Sequence, residues 1–313
     1  MRVRAFTLIA GAAVLSACGG SSGGSDAGDT TGDVSFQLTD APSDELTQVQ
    51  LTITAIGLKP ANGPEEKITL DQPLVISNLL ELQGSNAAGI IPPTEVTAGR
   101  YNWVRLYVLS GDENTYVTHE ANGEFPLYVP GQQNNNEQER HVQLVSGFNV
   151  PAGGQADFTI DVDLRRAITK PATQPYYLIR PAMRIIDNAK IGTISGTVAD
   201  ALVTADNCSS DSNSGAGNTA YLFTGLDATP GDIYVDDQGT ALAEENPLST
   251  ASVTQQNGGG YGYEFGFVAP GDYTVAFTCQ GLDDAPDNDD AIVFSAQANV
   301  SVVADSTAEA DLQ

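Results

Sequence analysis

Apolar residues fall at every second position through most of this chain. Val34, Phe36 and Leu38 alternate with polar neighbours, and so do Val49, Leu51 and Ile53. In the run YNWVRLYV, residues 101–108, Val104, Leu106 and Val108 share one face, with Tyr101, Trp103 and Tyr107 on the other. The cleanest alternation sets Phe158, Ile160, Val162 and Leu164 against Asp157, Thr159, Asp161 and Asp163. A period of two sends successive side chains to opposite faces, so each run predicts a half-buried strand. Pro92-Pro93, Pro130-Gly131 and Pro151-Ala152-Gly153-Gly154 separate the runs and predict turns. Helical periodicity is scarce. Leu74 to Leu82 is the best candidate for a short helical or irregular piece, and GQQNNNEQER, 131–140, reads as a polar loop.

A strand-like run, Tyr176 to Ile186, closes this part, and Asp187-Asn188-Ala189-Lys190 reads as a linker. The alternation then restarts with Ile194, Gly196 and Val198. Tyr261, Tyr263, Phe265 and Phe267 share a face, as do Tyr273, Val275, Phe277 and Cys279. Ile292, Phe294, Ala296, Ala298, Val300 and Val302 predict one last long strand. Many short strands without long helices predict an all-β fold of two consecutive β-sandwich domains, 33–187 and 191–313.

The start of the chain follows another pattern. Arg2 and Arg4 precede an apolar run, Ala5 to Leu15, which is far short of the roughly 20 residues that span a bilayer. Leu15-Ser16-Ala17-Cys18 ends it. The layout is that of a secretory signal peptide, residues 1–17, and its last four positions resemble the bacterial lipobox cleaved by signal peptidase II. That resemblance implies a diacylglyceryl group on the Cys18 thiol and an acyl chain, such as palmitate, on its new amine. Buried methylenes contribute about 0.8 kcal/mol each, so two or three acyl chains anchor stably where one does not. Gly19, in place of Asp, favours the outer membrane by analogy with lipoprotein sorting. Residues 18–32 then form a lipidated flexible tether rich in Gly and Ser. Its Gly/Ser stretch averages about 20 Å end to end and reaches roughly 45 Å when stretched.

Charge narrows the possible partners. Asp and Glu outnumber Lys and Arg 40 to 13, for a formal charge of -27. Such a surface lacks the basic footprint that nucleic acid or anionic lipid requires. From Ile191 onward there are nineteen acids and no Lys or Arg. This points to a salt-adapted surface, to bound divalent cations, or to both. The loop LDDAPDNDD places Asp283, Asp284, Asp287, Asp289 and Asp290 close together, and clustered carboxylates suit a hard cation such as calcium. The spacing is not that of an EF-hand. Asp206 to Asp211 and Asp232 to Asp237 add further oxygens.

Cys208 and Cys279 remain after Cys18, and an oxidising compartment favours a disulfide between them, at a sheet edge or across the sandwich. A thiol nucleophile would need a base, and no histidine follows His141.

Two family resemblances emerge from these blocks. VSFQLTDAPSDELTQVQLTITAIGL, AGRYNWVRLYV, FNVPAGGQADFTIDVDLRRAI and YYLIRPAMRIID, in that order, resemble the bacterial lipoprotein domain catalogued as domain of unknown function 4382, over residues 33–187. The resemblance implies a compact, mostly β domain and carries over no catalytic residue. GTISGTVAD, AYLF and YGYEFGFVAPGDYTVAFTC, within 191–313, resemble the carboxypeptidase regulatory-like, transthyretin-like sandwich. Its aromatic pair and Pro-Gly-x-Tyr fall on Phe265, Phe267, Pro270, Gly271 and Tyr273. The cysteine pair and the insertion around Ser209 to Gly217 depart from its pattern. It implies an accessory module of immunoglobulin-like or transthyretin-like build, usually non-catalytic.

No zinc-protease His-Glu pair, phosphate loop, dinucleotide fingerprint or Gly-x-Ser-x-Gly elbow occurs. His119 and His141 stand apart in sequence. The expectation is a non-enzymatic cell-envelope lipoprotein with a binding, adhesion or structural role and a glycan or protein ligand. The alternatives are an enzyme, or enzyme accessory subunit, acting on extracellular polysaccharide or protein, and an envelope-assembly partner. A pocket of His, Asp and Arg around Arg165 and Arg180 would favour the enzyme. An aromatic strip of Tyr101, Trp103 and Tyr107 would stack on sugars if exposed, and fill a core if not.

Overall fold

Alternation becomes strand almost throughout. The computed structural model describes residues 31–41, 46–111, 113–119, 121–130, 139–205, 208, 217–234, 246–286 and 288–313. Residues 1–30, with the expected signal segment, Cys18 and most of the expected tether, lie outside the described residues, while Thr31 and Gly32, expected in the tether, begin the first strand. The first part runs β1 (Thr31–Ala41), β2 (Leu46–Pro60), β3 (Glu66–Ile76), β4 (Ala88–Thr97), β5 (Gly99–Leu109), β6 (Tyr116–His119) and β7 (Gly123–Tyr128). It continues with β8 (Glu139–Leu144), β9 (Phe148–Val150), β10 (Gln155–Asp163), the one-turn helix α1 (Leu164–Ala167), β11 (Ile168–Thr169), β12 (Tyr177–Ile179) and β13 (Met183–Asp187). A four-stranded sheet, β13-β10-β1-β4, packs on a nine-stranded one built around β2 and β5. Between them Phe36, Phe148 and Phe158 form an aromatic centre, with Phe36 and Phe158 centroids 5.5 Å apart.

β1 and β10 run parallel, pairing Phe36 with Phe158 and Leu38 with Ile160. Their other face is a polar ladder. Ser35 Oγ donates to Asp157 Oδ1 at 2.6 Å, and Gln37 Nε2 to Thr159 Oγ1 at 2.8 Å.

Three local readings of the pattern change. Lys59 pairs with Trp103 but Pro60 with Tyr101, so Asn102 is an extra residue, a bulge in β5. The bulge turns Tyr101 inward, fully buried and stacked on Phe148 at 4.9 Å, while Trp103 and Tyr107 stay half-exposed outside. The run Tyr176 to Ile186 breaks at Arg180-Pro181-Ala182, because Pro181 offers no amide to a ladder. β12 then joins the nine-stranded sheet and β13 the four-stranded one. Leu74 to Leu82 is the end of β3 followed by a 3-10 turn, Leu79–Glu81, that Asn78 caps.

A second 3-10 turn, Asn188–Lys190, leads into β14 (Gly192–Val198), α2 (Asp200–Val203), β15 (Thr219–Thr224) and β16 (Ser249–Ser252). β17 (Thr254–Gln255), β18 (Tyr261–Val268), β19 (Gly271–Thr278), β20 (Ala296–Val302) and β21 (Thr307–Glu309) follow. Sheets β17-β18-β14-β21 and β16-β15-β19-β20 enclose a second core of Ile194, Leu222, Phe265, Val275 and Phe277. The last strand is shorter than its pattern, because Phe294 leaves the ladder. It packs with Tyr221, Phe223 and Ile233 on the outer face of β15 and β19. Cys208 and Cys279 form a disulfide across 71 residues, tying the segment after α2 to the end of β19.

Candidate binding cleft between the two sandwiches

Where β10 ends, the polar face of the alternation becomes a clamp. Asp163 caps α1, its carboxylate accepting the Arg166 amide at 3.2 Å, and so launches two arginines side by side. Arg165 is buried against the second sandwich. Its Nη1 donates to the Tyr221 hydroxyl at 2.8 Å and its Nη2 to Thr219 Oγ1 at 3.0 Å. Tyr221 passes its own proton toward Asp284 Oδ2 at 2.5 Å. Arg166 Nη2 donates to the Pro247 carbonyl at 2.7 Å and to Asn246 Oδ1 at 3.1 Å. A second attachment comes from the other side, where Glu264 accepts both the amide and the hydroxyl of Ser85. There Gly266 lies against the backbone of Gly84, and a Cβ on Gly266 would stand 2.2 Å from that carbonyl oxygen. Only glycine allows so close an approach.

Between these attachments the outer face of the four-stranded sheet and the second sandwich leave a cleft. It holds two cavities, of about 630 and 720 Å³, that share Asp161, Arg184 and Ser249. Both lie within the size range of small-molecule sites. The shared residues include an ion pair, with Arg184 Nε on Asp161 Oδ2 at 2.7 Å. The larger cavity is the more apolar, with Pro181, Met183, Phe223 and Leu248 on its walls. The smaller is lined almost wholly by hydroxyls, amides and carboxylates, and Asp311 and Glu309 close one side of it.

Electrostatics differ around the cleft. Asp40 is buried, with neither carboxylate oxygen in hydrogen-bonding geometry with any partner. Burial pushes its carboxyl well above the ordinary value, the charges of Asp161 and Asp163 add to this, and the nearby Leu164 amide opposes it. Asp163 is also raised by burial, against the pull of Arg166. Asp311 goes the other way, because the Thr197 amide and hydroxyl both donate to its Oδ1, at 2.8 and 2.7 Å.

Of the sequence candidates, the fold gathers Asp284 and Asp290 with Asp232. Their carboxylate oxygens lie within 4.8 Å of one another. Three such groups can serve a hard cation, which takes six to eight oxygens. Here they are tied into the protein: Asp284 accepts from Tyr221 and the Ile233 amide, Asp232 from the Asp290 amide, and Asp290 from the Ala285 amide. Burial raises the Asp284 carboxyl. Asp283 and Asp289 are exposed and outside this trio, and Asp287 lies outside the described residues, as do Asp206, Asp211, Asp236 and Asp237.

The sugar-stacking strip is dispersed. Tyr101 is in the core, Arg105 sits over the Trp103 ring at 4.1 Å, and Lys67 over the Tyr107 ring at 3.9 Å. The Tyr107 ring also lies tilted against His141, whose pKa burial and Arg105 lower. His119 Nδ1 accepts the Ala121 amide in a local turn. Arg165, the candidate centre of an enzyme pocket, is spent on the second sandwich.

Residues 31–181 match the model of DUF4382, a domain of unknown function. The DUF4382 stretch includes β1, β10 and both arginines of α1, so one wall of the cleft and the clamp lie inside it. No curated protein matches the chain. Among solved structures, a leucine-rich repeat protein from Bacteroides thetaiotaomicron aligns over 90% of this chain at 12% identity and a TM-score of 0.23. This chain spans only 26% of that protein. A candidate adhesin from Bacteroides ovatus aligns over 88% of this chain and 84% of its own, at 10% identity and a TM-score of 0.17. A candidate cell adhesion protein from Bacteroides fragilis aligns over 89% and 92%, at 8% identity and a TM-score of 0.21. TM-scores this low fall short of a shared fold, and none of these proteins lends its role to this chain.

Proposed function

We propose that this protein is a non-enzymatic lipoprotein of the cell envelope that binds a ligand in the cleft between its two sandwiches. The anchor rests on the lipobox-like Leu15-Ser16-Ala17-Cys18, and the mobility of the folded part on the Gly/Ser tether that follows. The observation that carries the binding role is the cleft itself. Its walls come from both sandwiches, and the buried Arg165–Tyr221 contact holds them apart at a fixed separation. A preformed concave site limits the ordering cost of binding. The outer membrane is the proposed location.

The test is retention of envelope polysaccharide by the full-length protein purified in detergent, with Ser252→Trp as a cleft-filled variant. Retention by the native protein, loss in the variant and unchanged polymer length after long incubation are expected. Undiminished retention by Ser252→Trp removes the cleft from the proposal, and shortened polymer replaces binding by catalysis. Cys18→Ser is expected to move the protein from the membrane pellet to the soluble fraction.

A further inference from the structure

The smaller cavity of the cleft has a composition that selects among ligands. Its hydroxyls come from Thr39, Ser195, Thr197, Ser249, Ser252 and Thr254. Its ionisable side chains are five carboxyl groups, Asp40, Asp161, Glu264, Glu309 and Asp311, against the guanidinium of Arg184, with Asp40 buried and Glu264 already accepting from Ser85. Arg184 is already paired with Asp161. Asp311 is fixed by Thr197, and both it and Glu309 are exposed at the rim. A concave wall of one sign concentrates counter-charged solutes. One buried polar side chain on the same wall lacks a partner: Thr250, 3% exposed, whose Oγ1 makes no hydrogen bond. Buried polar atoms in proteins are nearly always satisfied by protein or by something bound.

What is missing matters as much. The one aromatic residue of the cavity, Tyr263, is 5% exposed and its hydroxyl is committed to the Ala310 carbonyl. Among the described residues of this smaller cavity, no ring offers the stacking platform on which a neutral sugar depends; the apolar walls belong to the larger cavity beside it. Affinity must come from charge and from hydrogen bonds to hydroxyls.

We infer that this cavity binds an amino sugar, its ammonium held by Glu309 and Asp311 and its hydroxyls by the Ser and Thr side chains around them. The inference rests on the cleft being the binding seat. The test is calorimetry on the full-length protein in detergent with the disaccharide of glucosamine, its di-N-acetylated form, and spermidine. The free-amine disaccharide is expected to bind about ten-fold tighter than the acetylated one, a difference of a single charge-assisted contact. Its affinity falls as salt rises from roughly 50 to 500 mM. Glu309→Gln weakens it about three- to ten-fold with an unchanged melting temperature, since that side chain is exposed.

Equal affinity for the acetylated sugar overturns the role of charge. Equal affinity for spermidine overturns the sugar. Failure of both disaccharides, in a protein that still retains polysaccharide and loses it in Ser252→Trp, overturns the ligand class and leaves the cleft standing. Undiminished disaccharide binding by Ser252→Trp overturns both readings.

Discussion

The two sandwiches solve the same packing problem with different means. The first carries every Lys and Arg of the folded chain except Lys190 in the connecting turn, and fills its core with an aromatic centre reached from both sheets. The second has nineteen acids, no base and a smaller core. It compensates with a disulfide, and with aromatic packing on the outside of one sheet. It also borrows a cation. Arg165 of the first sandwich answers the buried Tyr221–Asp284 pair of the second, so part of the second sandwich's polar interior is satisfied only when the two are docked.

The largest expected effect separates the two cores. Cys208→Ser with Cys279→Ser frees a loop closed across 71 residues, worth about 4 kcal/mol in the chain-entropy account. Calorimetry is expected to show a second-sandwich transition moving below that of the first. A single transition shifted as a whole would mean that docking, rather than the staple, sets the stability of the second sandwich.

Next comes the borrowed cation. Arg165→Met leaves the Tyr221 hydroxyl and Thr219 without their donor and the buried Asp284 without its nearby cation, and removing one partner of a buried charged pair costs about 3 kcal/mol. A double-mutant cycle with Tyr221→Phe is expected to show strong coupling. Gly266→Val attacks the same docking from the other attachment, by steric conflict with Gly84. If docking is what completes the second sandwich, both variants lower its unfolding temperature and leave the first nearly unmoved.

How much of this was written in the order of residues follows from the range of the forces involved. Period-two alternation is a local signal, so β1, β10, β14, β18 and β19 are legible, and the two remaining cysteines pair with each other as expected. A bulge is one residue out of step. Nothing in YNWVRLYV marks Asn102 as the extra one, so Tyr101 passes for a same-face neighbour of Trp103. Pro181 is a visible break, but the switch of sheets across it depends on strands far along the chain. The cleft is the least legible, because its walls are ordinary Ser, Thr and Gln that read as solvated surface until two sandwiches face each other. The clamp did leave a trace. Two adjacent arginines follow the alternating acids of β10, in a chain with no Lys or Arg after Lys190.

A smaller effect concerns Asp40. Its folded pKa is raised, chiefly by burial, above the ordinary 3.8. Between those two values the folded protein holds a proton that the unfolded chain releases, so stability falls as pH rises through that window and stays lower above it. Asp40→Asn removes this loss. The variant is expected to match the native melting temperature at or below about pH 4 and to exceed it by a few degrees at about pH 8, at roughly 2–4 °C per kcal/mol. No gain at high pH would mean that Asp40 ionises at no cost, and that something in the cleft already compensates it.

The smallest effect tests whether position, rather than charge, distinguishes the arginines of the cleft from the bases elsewhere on the first sandwich. Lys67 makes two contacts that look strong on paper, an ion pair with Glu139 and a seat over the Tyr107 ring. Both side chains of the ion pair are 35% exposed, and water and salt screen such pairs. Lys67→Ala is therefore expected to cost less than about 1 kcal/mol, and to cost nothing measurable at roughly 0.5 M salt, where the screening length is only a few ångströms. The Arg165→Met penalty should persist at the same salt, because a buried pair is not reached by counterions. Equal salt sensitivity for the two variants would mean that the cleft admits solvent around Arg165, and the clamp would then be a surface contact like that of Lys67.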